Sequence, residues 1–305
     1  MRPNLRKRMC RIMTKEEFWA LLEEGTLLLD GATGSCLLER GMPRGTETHL
    51  WVLEHPEVLA ALQRAYVRAG SRVLYTPTLQ CQELSMKKSG RERHVEAVNA
   101  ALTALTRQAA EPGVLVAGDL STLAGEMDSW DEGHTDRMIE IYRRQIRGLL
   151  EGGADLLAAE TLLYPAEAEA IAAAAELEGA GCVLYSFTMQ PDGALFSGRE
   201  AGPVLRELEL AGAAAVGFNC VAAGPELPGL VSRLRRQVRG PLLAKPNAGL
   251  PVIGPEGRAV YPMGAEEFAG ILADCRALGA QLLGGCCGTD PAFIRALKAR
   301  LEAAK

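Results

Sequence analysis

Short apolar runs alternate along the chain with longer segments in which apolar residues recur every third or fourth position, and the alternation repeats about eight times. The runs predict buried strands at 26–30, 72–76, 114–119, 155–160, 182–188, 214–219, 242–246 and 281–284. The periodic segments predict helices, among them 56–69, 95–110, 136–151, 166–178, 264–278 and 291–304, several with proline or an acidic residue near the start, as a first helical turn prefers. Strands separated by helices imply parallel pairing. About eight such units fit an α/β fold of the (β/α)8 TIM-barrel type, whose usual size is about 250 residues; a doubly wound open sheet is the alternative. Segment 14–24 predicts an additional helix closing the bottom of the barrel, with Thr14 as N-cap and Glu17 at the capping-box position. Residues 1–13 read as a tail and 14–305 as one barrel domain.

Polar residues fall in a second pattern. Strand interiors are apolar, and Asp30, Thr76, Asp119, Glu160, Thr188, Asn219, Cys220, Asn247, Cys286 and Cys287 stand at or just past predicted strand C-termini. In a parallel barrel these ends share one face, where active sites of the fold are built. Convergence of residues scattered along the chain therefore predicts an enzyme.

Its chemistry is read from sulfur. The run Leu283-Gly284-Gly285-Cys286-Cys287-Gly288-Thr289 places two adjacent thiols in a glycine frame, and Gly217-Phe218-Asn219-Cys220 supplies a third at an equivalent strand end. Three thiolates on one Zn²⁺ leave the fourth position open, a catalytic arrangement that can take a substrate thiol and hold it deprotonated. A vicinal disulfide and a pair of small buried apolar residues are the competing readings of the Cys-Cys pair. Cys10, Cys36, Cys81, Cys182 and Cys275 lack such a frame and read as incidental, Cys81 being the one nearest a strand end. His49, His55, His94 and His134 stand away from the predicted strand ends and read as non-ligands.

Composition narrows the setting. A net charge of −5 argues against nucleic acid as partner, and 48% hydrophobic content in 305 residues supports a large core. The basic start Met1–Met9 lacks a following apolar core, so no signal peptide is expected, and no run reaches membrane-spanning length. Eight cysteines without a secretory signal fit ligands and reduced core thiols of a cytoplasmic protein. Other candidates are weaker alone. Asp30-Gly31-Ala32-Thr33-Gly34 is a glycine turn leading into a helix, whose amides suit a carboxylate or phosphate, or serve as a turn only. Glu160 would face the barrel mouth and suit an ammonium group, or cap a loop. Asn247, in Lys245-Pro246-Asn247-Ala248-Gly249, offers both a donor and an acceptor, or is ordinary turn chemistry. Trp51 reads as core.

Taken in order, Leu29-Asp30-Gly31-Ala32-Thr33-Gly34, Trp51-Val52-Leu53-Glu54-His55-Pro56, Glu160-Thr161, Gly217-Phe218-Asn219-Cys220, Pro246-Asn247-Ala248-Gly249-Leu250-Pro251 and Gly284-Gly285-Cys286-Cys287-Gly288-Thr289 resemble the homocysteine S-methyltransferase family. The resemblance spans nearly the whole chain and leans towards the homocysteine-binding module of cobalamin-dependent methionine synthase and its stand-alone relatives. It implies a zinc-bearing barrel that binds L-homocysteine and methylates its sulfur. Carried over by position, Cys220, Cys286 and Cys287 would hold the zinc. Glu160, with Asn247 and Asp30, would bind the ammonium group, and the amides of Ala32 and Thr33 the carboxylate. Thr78-Leu79-Gln80-Cys81-Gln82 departs from the family, where a Phe and an Asn are common, which leaves the methyl donor open.

No donor-binding domain is visible. Asp131-Glu132-Gly133-His134 has the wrong spacing for a corrinoid-binding motif, and a G-x-G-x-x-G fingerprint is absent. The methyl group would arrive on a small molecule such as S-methylmethionine or on a separate methylcorrinoid protein. Two other readings stay open: a zinc- or thiol-binding subunit inert alone within a methyl-transfer assembly, and an enzyme methylating another thiol or a selenol.

Overall fold

The computed structural model describes residues 12–127, 134–254 and 259–304. Cys10 and the 131–133 part of the run tested for a corrinoid motif lie outside the described residues. The strands are β1 (Leu27–Leu28), β2 (Val73–Tyr75), β3 (Leu115–Ser121), β4 (Leu156–Leu162), β5 (Val183–Phe187), β6 (Ala215–Ala222), β7 (Leu242–Asn247), β8 (Val252–Ile253), β9 (Ala259–Val260) and β10 (Ala280–Leu283). The helices are α1 (Lys15–Glu23), α2 (Gly34–Glu39), α3 (Thr48–Glu54), α4 (Pro56–Ala69), α5 (Glu83–Lys87), α6 (Val95–Ala109), α7 (Thr135–Glu151), α8 (Pro165–Leu177), α9 (Ala201–Leu210), α10 (Leu227–Arg235), α11 (Ala265–Ala277) and α12 (Pro291–Ala303).

Eight strands pair in parallel in the order β1-β10-β7-β6-β5-β4-β3-β2, and a parallel bridge from Leu29 to Val73 joins the two ends. The sheet thus closes into a (β/α)8 barrel, and the open-sheet alternative falls. Alternation along the strands divides the core. Inward residues such as Leu29, Val73, Ala117, Leu156, Leu184, Leu243 and Leu282 fill the interior, while outward ones such as Leu74, Leu157 and Val216 pack against the helical ring. The bottom is plugged by α1, which sends Phe18 and Leu22 into the interior cluster. Burying Phe18 completely stabilises this closure by about 2–3 kcal/mol. Its start is fixed by the expected capping box: the Glu17 amide donates to Thr14 Oγ1, and the Thr14 amide donates to Glu17 Oε2.

Strands β3, β4 and β6 run two or three residues past their predicted ends, to Ser121, Leu162 and Ala222. Part of the extra length carries irregular pairing, with register shifts between Ala159 and Leu162 and between Asn219 and Ala222. Helix α2 follows the Asp30–Gly34 turn as expected, while the hairpin β8–β9 and the short helices α3 and α5 are additions that the apolar periodicity did not predict. They decorate the C-terminal face of the barrel or the loops leading to it.

A three-cysteine centre above a buried charge cluster

Cys220, Cys286 and Cys287 meet at the C-terminal rim, all three sulfurs within 4.8 Å of one another and the Cys220 and Cys286 sulfurs 2.7 Å apart. Backbone geometry makes this possible. Cys220 has φ of 55° and Thr161 of 59°, left-handed conformations that cost a residue with a Cβ roughly 1–2 kcal/mol each. At Cys220 this breaks the regular alternation of β6 and turns the thiol towards the strand-β10 loop. Asn219 pins the turn, as its side-chain oxygen accepts from the Thr161 amide at 2.7 Å and its nitrogen donates to the Thr161 hydroxyl at 2.7 Å.

The Cys286-Cys287 loop is held from several sides. The Cys286 amide donates to the Pro246 carbonyl, and the Cys287 carbonyl accepts from the Ala248 amide. Asn247 stitches both cysteine loops together, donating to the Cys220 carbonyl and accepting from the Cys287 amide, each at 3.0 Å. Glycine is required at two positions of the frame. A Cβ on Gly285 would stand 2.3 Å from Thr289 Oγ1, and one on Gly288, whose φ is 79°, would stand 2.3 Å from the Tyr261 ring. Tyr261, just past β9, also helps to hold the Cys287 thiol below its ordinary ionisation range.

The three thiols are an all-sulfur donor set of the kind that suits zinc. Two thiolates on a tetrahedral zinc with ~2.3 Å bonds sit about 3.8 Å apart, so Cys220 and Cys286 would separate by about an ångström to accept the ion. The sulfurs act on one another: the neighbouring Cys220 and Cys286 thiols hold the Cys287 thiol down to about 3, while the same contacts push Cys220 up and Cys286 is raised as well. One negative charge, on Cys287, is therefore favoured at the metal-free cluster. Cys81, Cys182 and Cys275 are the opposite case, buried thiols pushed up by desolvation and kept neutral. They stand outside the cluster, although Cys81 lines the adjoining cavity.

That cavity, about 390 Å³, opens beside the sulfurs and is walled by Gly31–Ser35, Tyr75, Asp119, Glu160 and Lys245. Its base carries an ionic cluster. Lys245 Nζ lies 3.0 Å from Glu160 Oε2 and 4.5 Å from the centre of the Tyr75 ring, with both charged residues buried. Burial pushes the Glu160 carboxyl up against the opposing pull of Lys245; it pushes Asp119 up further, with Glu160 adding to the effect. Desolvation would lower Lys245, but the carboxylates around it, Glu160 first, hold it well above its ordinary value. Asp30 is fully buried and its carboxyl is raised to about 7 by desolvation.

The other expected site residues sit as follows. Asp30 Oδ2 accepts from the Tyr75 amide, and Asp30 is not part of the cavity wall. The Ala32 amide donates to Thr289 Oγ1 at 3.2 Å, and Tyr66 donates to the Ala32 carbonyl, so the turn is braced from below. Ala32 and Thr33 both line the cavity. Asn247 does not, its side chain being engaged by the two cysteine loops. Lys245 went unassigned in the sequence, where its signal was a lone cation directly after the apolar run Leu242-Leu243-Ala244. His49 also lines the cavity, its side chain 5% exposed, 3.3 Å from Glu47.

Fold and site together define a barrel enzyme organised around a cysteine cluster able to hold a metal ion. The family model described as Homocysteine S-methyltransferase matches residues 27–301, and the chain belongs to that family of methyltransferases. It is 30% identical to the homocysteine S-methyltransferase of Escherichia coli, over 92% of this chain and 97% of that protein. The crystal structure of the homocysteine methyltransferase MmuM from Escherichia coli in its metallated form is similar, with a TM-score of 0.79 at 30% identity, covering 92% of this chain and 98% of that one. The methionine synthase of Mycobacterium tuberculosis is also 30% identical, over 92% of this chain; the chain spans 25% of that longer protein. No helix among the described residues is long and apolar enough to cross a membrane.

Proposed function

We propose that the chain is a zinc-dependent homocysteine S-methyltransferase that transfers a methyl group to the sulfur of L-homocysteine and yields methionine. The observation that carries this reading is the meeting of Cys220, Cys286 and Cys287 beside a cavity with an acidic base. Zinc bound by these three cysteines would supply the positive charge that keeps a substrate thiol deprotonated at neutral pH. The chain's own residues do the rest. Asn247 and Asn219 fix the cysteine loops, the Ala32–Thr33 turn faces the substrate carboxylate, and the acidic base with Glu160 attracts its ammonium group. The bound thiolate then attacks the donor methyl in line; sulfur gains the carbon and the donor leaves with the bonding pair, so no proton transfer is needed in that step. Residues 14–305 would act as one homocysteine-binding domain in the reducing cytoplasm, where the thiols stay available.

The methyl donor is S-methylmethionine or a methylcorrinoid protein docked at the mouth; the acidic walls favour the small sulfonium, which is itself a cation. The test is metal analysis of the reduced, purified chain followed by assay of methionine formation from homocysteine with each donor. About one zinc per chain and methionine from at least one donor is the expected result. Zinc-loaded protein that forms methionine with neither, or methylates an unrelated thiol or selenol in preference, would sink the reading.

A further inference from the structure

Past Asn247 the chain carries a feature that the proposed reaction does not use. Among the described residues, Ile253 and Leu250 are the most exposed large apolar side chains, at 87% and 71%, and Val252 and Val260 beside them are exposed as well. Strands β8 and β9 pair Val252 with Val260 and Ile253 with Ala259, so alternation sets apolar side chains on both faces of the hairpin. All four residues are exposed, and so short a two-stranded hairpin is marginal in water without a covering surface. Beside its base lies an apolar hollow of about 470 Å³, walled by Pro191, Val221, Ala223, Leu227, Leu230 and Leu250. Leu250 joins the two, since it lines the hollow and stands just before β8.

The shape of this pair decides its occupant. A flat partner covers one face of a hairpin, whereas a hollow takes a projection that is apolar on both faces, and this chain carries one of each side by side. Charge points the same way. A net charge of −5 repels copies of the chain from one another, but Glu226 is the only charged residue lining the hollow, and the hairpin strands carry none. The exposed parts of Leu250, Val252, Ile253 and Val260 come to roughly 400 Å², so two copies burying this patch and the hollows against each other cover on the order of 1,000 Å², the lower limit of a specific interface. We propose that the β8–β9 hairpin is a self-association surface: a second copy of the chain, related by a two-fold axis, seats its hairpin in this hollow and offers its own hollow in return. The contact rests on neither zinc nor homocysteine. Because β9 leads directly into Tyr261, whose ring packs over Gly288, it also braces the loop that carries Cys287.

Sedimentation of the reduced chain from about 1 to 100 µM tests this, with a monomer–dimer equilibrium of micromolar order expected. Ile253→Lys, in the hairpin, and Leu250→Asp, in the hollow, should each weaken the dimer by at least about tenfold, since each sets a charge against an apolar wall twice per dimer. Both side chains are mostly exposed, so both variants should melt near wild type. Ile253→Ser, which adds no charge, repeats the first substitution if the lysine impairs folding. An equimolar mixture of the two charged variants is the decisive arm. In the mixed dimer one contact joins the introduced lysine to the introduced aspartate and the other is native, so association should recover to within about threefold of wild type. Wild type that stays monomeric throughout the range would overturn the proposal and leave the hairpin to a foreign partner, such as a methyl-carrier protein. A dimer that tolerates both substitutions would overturn it as well, and so would a mixture that associates no better than either variant alone.

Discussion

Asn219 and Thr161 hold each other through two hydrogen bonds of 2.7 Å, amide to side-chain oxygen and side-chain nitrogen to hydroxyl, across the two strands that flank β5. The pair links the two non-glycine residues with left-handed backbone among the described residues, Thr161 and Cys220, the latter directly following Asn219. Asn219 Oδ1 also accepts from the Ser186 hydroxyl at 3.0 Å, so the three adjacent strands β4, β5 and β6 are tied at one level. The backbone that aims Cys220 at its sulfur partners is thus maintained by a side chain that would touch neither zinc nor substrate.

Asn219→Ala should therefore damage the metal centre without removing a ligand. Losing three buried hydrogen bonds to Thr161 and Ser186, and a longer one from its side-chain nitrogen to Cys286 Sγ at 4.0 Å, should lower stability by about 2–3 kcal/mol, and relaxation of the Cys220 turn should weaken zinc by about 10- to 100-fold. Competition against a chromophoric chelator reads the second effect and denaturant unfolding the first. A variant that is destabilised yet keeps wild-type zinc affinity would show that Asn219 serves the fold alone.

This linkage also marks how far the sequence could be read. The strand runs were legible because a parallel barrel buries both faces of each strand, which leaves continuous apolar stretches in the sequence. Cys220, Cys286 and Cys287 were legible because adjacent thiols among glycines have few other uses. Lys245 and the pairing of Asn219 with Thr161 were not, since both depend on contacts between residues 85 and 58 positions apart, which no periodicity encodes. Asn247 was read as a contact for the substrate; its side chain instead joins two loops, a difference set by the direction of the side chain rather than by its position. The β8–β9 hairpin was missed because its strands are two residues each and exposed.

Substituting the sulfurs separates ligand thiols from incidental ones. Cys286→Ser replaces a group that can lose its proton with a hydroxyl that does not, so zinc content after desalting should fall to about a tenth or less and methyl transfer should be lost. Cys275→Ser, in which a fully buried thiol on α11 is replaced, should keep full zinc and lose about 1–2 kcal/mol of stability to the buried hydroxyl. Retention of zinc by the Cys286 variant would remove it from the ligand set.

Stability should respond to pH through Asp30. Its carboxyl is raised from 3.8 to about 7, chiefly by desolvation, so between these values the folded chain keeps a proton that the unfolded chain has released. Folding then binds protons, and stability contributed by this group is present below about pH 4 and declines as pH rises towards 7, at up to roughly 1.4 kcal/mol per unit. Surface carboxylates held down by arginine, such as Glu83 beside Arg137 and Arg144, slope the other way. The measurement is consequently the difference between wild type and Asp30→Asn in metal-free, reduced protein from pH 4.5 to 7. The variant should gain on wild type as pH rises; a constant difference would mean that Asp30 ionises normally.

Tyr261 offers the most selective probe of the centre, because its ring and its hydroxyl do separate things. The ring fills the space above Gly288 that any Cβ there would occupy, and the hydroxyl is the group that favours the Cys287 thiolate. Tyr261→Phe keeps the first contact and removes the second. A hydroxyl donating to sulfur favours the thiolate, so without it the Cys287 thiol should ionise at higher pH, and its alkylation by iodoacetamide in metal-free protein should slow at neutral pH. Loss of the hydroxyl should also speed zinc transfer to a chelator by about tenfold, as removal of an outer polar neighbour of a ligand typically does. The melting temperature of metal-free protein should stay near that of wild type, since Tyr261 is only half-buried and its packing is preserved. Faster zinc loss together with a large drop in that temperature would instead place the effect in the β8–β9 hairpin, and unchanged alkylation and zinc transfer would leave the hydroxyl without a part in holding Cys287.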